Sequence, residues 1–70
     1  MYDVAKELTD DGVSFSNVKE VGERVYELEI NHPKDKELYL NKMSLHFLVQ
    51  YTYLLSECGS TILFIGFNRL

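Results

Sequence analysis

Apolar residues return at helical spacing through the second half of the chain. Met43, Phe47, Leu48, Tyr51, Leu54, Leu55 and Cys58 fall within roughly 140° of arc on a helix turning about 100° per residue. Leu40 extends this stripe backward to about five turns. Gly59 follows, where a left-handed helix cap is wanted. The spacing predicts a long helix over 36–58, with a break near Asn41 as a variant. Asp35 stands ready to cap it, and Glu37 lies near its positive end. The same stretch carries a rival pattern. Leu45, Phe47, Val49, Tyr51, Tyr53 and Leu55 alternate with His46, Gln50, Thr52 and Ser56, as in a half-buried strand. Val49, Tyr51, Thr52 and Tyr53 also favour strand. The extent of the stripe and the unusual length of such a strand, against a typical 5 or 6 residues, favour the helix.

Around this stretch the other elements are shorter. Tyr2 to Thr9 reads as a helical turn or two, closed by Asp10, Asp11 and Gly12. Segments 13–21 and 24–31 read as a hairpin with Gly22 supplying positive φ in the turn. With Gly22 and Glu23 as turn residues, Phe15 lies opposite Ile30 and Asn17 opposite Leu28. One face then carries Val13, Phe15, Tyr26, Leu28 and Ile30, the other Ser14, Ser16, Glu20, Glu27 and Glu29. A one-residue shift of pairing would mix these faces. Pro33 ends the second strand. The run 61–67 is apolar on both faces, which predicts a strand buried on both sides over 61–68, and Gly66 within it predicts a bulge or a close backbone approach.

The expected fold is therefore α+β. It is a small two-layer domain in which a β-hairpin, a long helix and a final strand make an antiparallel three-stranded sheet packed on one helix, after a short N-terminal helical segment. The alternative, if 45–55 is strand, is an all-β five-stranded small barrel. Seventy residues make one domain, 1–70. An apolar content of 46% with 26% charged residues is that of a globular chain. No apolar run reaches the 18 or so residues of a membrane span, and no signal peptide is visible. A lone cysteine, Cys58, leaves no internal disulfide and points to a reducing compartment such as the cytoplasm.

Charge sharpens this picture because it is unevenly distributed. The chain carries a net −4. Residues 1–31 hold eight acids against three bases, whereas 32–70 hold three against four. Clustered acids argue against direct nucleic-acid binding. They suit a protein partner with a basic surface. The acidic contact face expected on this basis comprises Asp10, Asp11, Glu20, Glu27 and Glu29.

The residues offer little chemistry. Cys58 sits on the apolar stripe, where a free thiol is an inert core group. His32 and His46 stand in no metal-ligand spacing, so no metal or cofactor is expected. Glu27 and Glu29 lie two apart on one strand face, an arrangement that reads as solvated carboxylates in the absence of a cleft. The four glycines form no phosphate loop. The expectation is a protein that is not an enzyme.

Three readings of function follow. The first is a non-catalytic protein-binding module whose acidic face occludes a basic nucleic-acid-binding surface. In size and charge such a chain resembles the phage-encoded inhibitors of host defence, including anti-CRISPR proteins, and the resemblance implies an inhibitor of a host protein. The second is a structural or regulatory homo-oligomer, expected as a dimer. It would use apolar surface beyond what one core needs, at Leu45, Val49, Tyr53, Ile65 and Phe67. The third is a small accessory or antitoxin-like subunit of a larger complex.

Overall fold

A computed structural model describes residues 3–69. The order is α1 (Val4–Asp10), β1 (Asn17–Gly22), β2 (Val25–Asn31), α2 (Lys36–Ser44), β3 (Phe47–Glu57) and β4 (Ser60–Arg69). The four strands form one antiparallel sheet in the order β1-β2-β4-β3. This overturns the three-stranded sheet on one long helix. It also overturns the barrel, because the sheet is open and has β1 and β3 as its edges.

Local chemistry explains the helix ends. Asp3 caps α1 by accepting from the Lys6 N–H at 3.1 Å. At the other end Val13 N–H donates to Leu8 O and Gly12 N–H to Thr9 O, with Gly12 at φ 78°. Those two bonds make a Schellman cap. Tyr2, with which the expected helical segment begins, lies outside the described residues. Asp35 caps α2 through Leu38 N–H at 3.2 Å, but α2 ends at Ser44 and not at Cys58.

The long helix fails because β3 and β4 find each other across a two-residue turn. Cys58 (φ 51°) and Gly59 (φ 79°) both adopt the left-handed region that a type I′ hairpin requires. The glycine expected as a helix cap is the second turn residue. Cys58 is exposed at this tip and not in the core. Pairing then runs from Glu57↔Ser60 to Phe47↔Arg69, so the β-branched and aromatic residues of 47–57 satisfy their backbone against β4.

A bulge between Val49 and Tyr51 changes which side of the sheet β3 presents. Phe47 and Val49 face the helices, with Val49 opposite Phe67. Past Gln50 the alternation inverts. Tyr51, Tyr53 and Leu55 pair with Gly66, Phe64 and Ile62 on the far side, and Thr52 and Leu54 pair with Ile65 and Leu63 on the helix side. The apolar alternation over 45–55 is thus real strand periodicity divided between two faces.

The core lies between the helices and one face of the sheet. Val4 and Leu8 of α1 and Met43 of α2 pack on Leu28, Ile30, Phe47, Leu63, Ile65 and Phe67, with Tyr26, Val18, Tyr39 and Leu40 at the margin. Each large buried side chain contributes about 1.5–3 kcal/mol. Phe67 organises its centre, stacking with Tyr26 at 5.8 Å and meeting Phe47 edge-on at 4.8 Å. The hairpin pairs one residue away from expectation, with Asn17↔Glu29 and Val18↔Leu28. Arg24 (φ 61°), rather than Gly22, holds the left-handed turn position. Val13, Phe15, Tyr26, Leu28 and Ile30 still belong to the core. The shift adds Val18 to them and carries Glu20, opposite Tyr26, to the helix side.

Candidate functional site

The second face of the sheet carries no helix among the described residues, and its side chains form rows that cross all four strands. One row runs Lys19, Glu27, Gly66, Tyr51, and the next runs Asn17, Glu29, Phe64, Tyr53. Leu55 extends the apolar end of this face through its pairing with Ile62.

Gly66 is the hinge of this arrangement. A Cβ there would overlap Cε2, Cζ and Cδ2 of Tyr51, so the missing side chain lets the Tyr51 ring lie across β4. The ring thereby reaches two strands over. Its hydroxyl donates to Glu27 Oε2 at 2.7 Å, and the Tyr53 hydroxyl lies 3.4 Å from Oε1. Lys19 Nζ stands 3.9 Å from the same Oε1. Glu27 is 8% exposed on a face that is otherwise open, because these side chains fold over it. Tyr53 stacks on Phe64 at 4.6 Å and on Tyr51 at 6.1 Å, nearly parallel in both cases.

Electrostatics follow from the clasp. The Glu27 carboxylate accepts the hydrogen bond of the Tyr51 hydroxyl, and that bond, desolvation and the carboxylate's negative charge push the phenol up to about 12. Tyr53 is pushed up too, first by desolvation and then by the Glu27 charge. Neither phenol supplies a nucleophile near neutral pH, and both carboxylate oxygens are occupied. The cluster fastens all four strands together.

The remaining expected acidic residues do not join it. Glu29 shares the open face with Glu27 and is half-buried. Glu20 is on the helix side. Asp10 and Asp11 end α1, and Asp11 stands 3.3 Å from His46 Nε2. The five acids therefore occupy both sides of the sheet and make no single face. Within the sheet the acid excess falls on β2, which carries Glu27 and Glu29 and no base, whereas β1 balances Lys19 against Glu20 and the C-terminal end of α1 lies beside Lys42 and His46.

The expected self-association residues also separate. Ile65 and Phe67 are fully buried on a central strand, and Val49 packs against the core. Leu45 is exposed at the end of α2, and Tyr53 is exposed on the open face. The apolar surface that sequence reasoning missed is the rest of β3. Leu48, Tyr51, Leu54 and Leu55 are each 39–55% exposed. From Phe47 to Ser56 this edge strand carries no ionisable acid or base other than its tyrosine phenols. A long, uncharged, apolar edge is what soluble proteins ordinarily blunt with charge or proline. The signal was present in the alternating pattern of 45–55.

Elsewhere, a groove of about 490 Å³ opens between the start of α1 and β1, lined by Asp3, Val4, Ala5, Val18, Lys19, Glu20 and Tyr26. Among the described residues, no group of three His, Cys, Asp or Glu could hold a metal ion, and no helix is long and apolar enough to cross a membrane. Comparison with known proteins finds no matching family model, no matching characterised protein and no matching solved structure.

Proposed function

We propose that this chain is a non-catalytic protein-binding module that meets its partner along the β3 side of the sheet. The observation that carries the reading is the uncharged edge strand with its exposed Leu48, Tyr51, Tyr53, Leu54 and Leu55. Exposed apolar side chains beside unpaired strand backbone are the two components of recognition by strand addition. The module works in a reducing compartment such as the cytoplasm, where the exposed Cys58 stays free.

A second reading is supported by charge. Residues 1–31, which form α1, β1 and β2, hold eight acids against three bases, and this side favours a partner with a basic surface. Inhibition by occluding a nucleic-acid-binding groove, in the manner of phage-encoded inhibitors, would use that side. Glu27 would contribute little to it, since its carboxylate is enclosed.

Bait retention separates the two. Three baits are compared in nuclease-treated lysate of the source cell: the native chain, a Leu48→Lys/Leu55→Lys chain and a Glu20→Lys/Glu23→Lys chain. Circular dichroism first establishes that all three fold. A partner, including a tagged second copy, retained by the native and acid-reversed baits but lost by the β3 variant supports the β3 reading. The opposite pattern transfers the contact to the acidic side. Equal retention by all three baits, or by none, refutes both surfaces.

A further inference from the structure

Resting on the reading that β3 is the contact strand, we propose that its occupant is β3 of a second copy. The two strands pair antiparallel about a two-fold axis at Leu54 and continue the sheet to eight strands. Three observations lead there. No strand pairs with the outer side of β3 among the described residues, so its backbone is open to another strand. Charge does not oppose a copy of the same chain at this edge. From Phe47 to Ser56, β3 brings no charged side chain against its twin, so no like charges meet across the pairing.

The bulge supplies the register. Regular pairing is interrupted between Val49 and Tyr51, which leaves Tyr51–Glu57 as the uninterrupted part of the strand, with Leu54 at its centre. Pairing this segment with itself sets Leu54 opposite Leu54 on the helix side. On the open face Tyr53 meets Leu55 of the other copy. Leu54 is opposite the fully buried Leu63 and yet 54% exposed, so one copy leaves it without cover. Glu57 falls opposite Tyr51, and no acid faces an acid. The symmetry is isologous and closes at two copies, which also removes the edge as a template for aggregation. The two aromatic rows become one surface.

Mass and cross-linking test this on the full chain. Sedimentation equilibrium over a concentration series is expected to give twice the 8.2 kDa chain mass. In a Cys58→Ser background, Leu54→Cys should oxidise to a covalent dimer, because directly opposed residues have Cα atoms about 4.5–5.5 Å apart, within disulfide range. Leu48→Cys in the same background should not. Its two copies would lie twelve positions apart along the strands, on the order of 40 Å. A single-chain mass at every concentration overturns the proposal. So does a two-chain mass with cross-linking at Leu48, or at neither position. The protein-binding reading fails separately: a monomer that still retains a foreign protein through β3 keeps that reading and loses this one.

Discussion

Gly66→Ala tests whether the open face is held as described. The new methyl group would occupy the space of the Tyr51 ring, so the ring must swing away from β4. Its 2.7 Å bond to Glu27 is then lost. A hydrogen bond to a charged group is worth about 1.5–3 kcal/mol, and the low end applies here because Tyr51 is 39% exposed. Alanine recovers about 0.5–1 kcal/mol of backbone entropy that glycine forfeits in a strand. The net expectation is a loss of about 1 kcal/mol, or roughly 4–8 °C in Tm for a domain of this size. Urea denaturation followed by circular dichroism measures it. The decisive comparison repeats Gly66→Ala in a Tyr51→Ala chain. With the ring gone the substitution should become neutral or stabilise by about 0.5–1 kcal/mol. Equal costs in the two backgrounds would refute the claim that the glycine exists to admit the ring.

Two further outcomes follow from the same geometry. Tyr51 titrates near 12 in the folded chain against 10.0 when unperturbed, so the unfolded chain releases this proton first. The stabilisation is therefore complete below pH 10 and declines as pH rises from 10 toward 12, and Glu27→Gln should return the tyrosinate absorbance transition toward 10 and flatten that decline. Cys58→Asn should raise stability by roughly 0.5–1 kcal/mol in the same urea assay, because asparagine tolerates the left-handed φ of 51° better than cysteine in a type I′ turn.

Much of the local structure was legible in the residues. Asp35 caps a helix, Asp10-Asp11-Gly12 closes another, Pro33 follows the end of β2, and 61–68 lies within a strand. Gly66 within a strand predicts a bulge or a close approach. Its partner strand has the bulge, and the Tyr51 ring makes the approach. The caps and turns among these depend on residues near one another in the chain, where φ preference and capping act directly.

The choice between helix and strand for 47–57 was not decided locally. Both periodicities are present, and the balance turns on pairing with β4, whose partners lie from three residues away at Glu57↔Ser60 to twenty-two at Phe47↔Arg69. The type I′ turn at Cys58-Gly59 was the readable clue, but glycine at that position serves a helix cap equally well. Side-chain faces were decided later still. A single extra residue at Gln50 inverts the second half of β3, and a one-residue shift in the hairpin separates Glu20 from Glu27. The sequence by itself determined that there would be a hairpin, an acidic half and an apolar half. Tertiary pairing determined which carboxylates and which apolar groups share a surface, because in a strand with a side-chain period of two, one residue of register exchanges inside for outside.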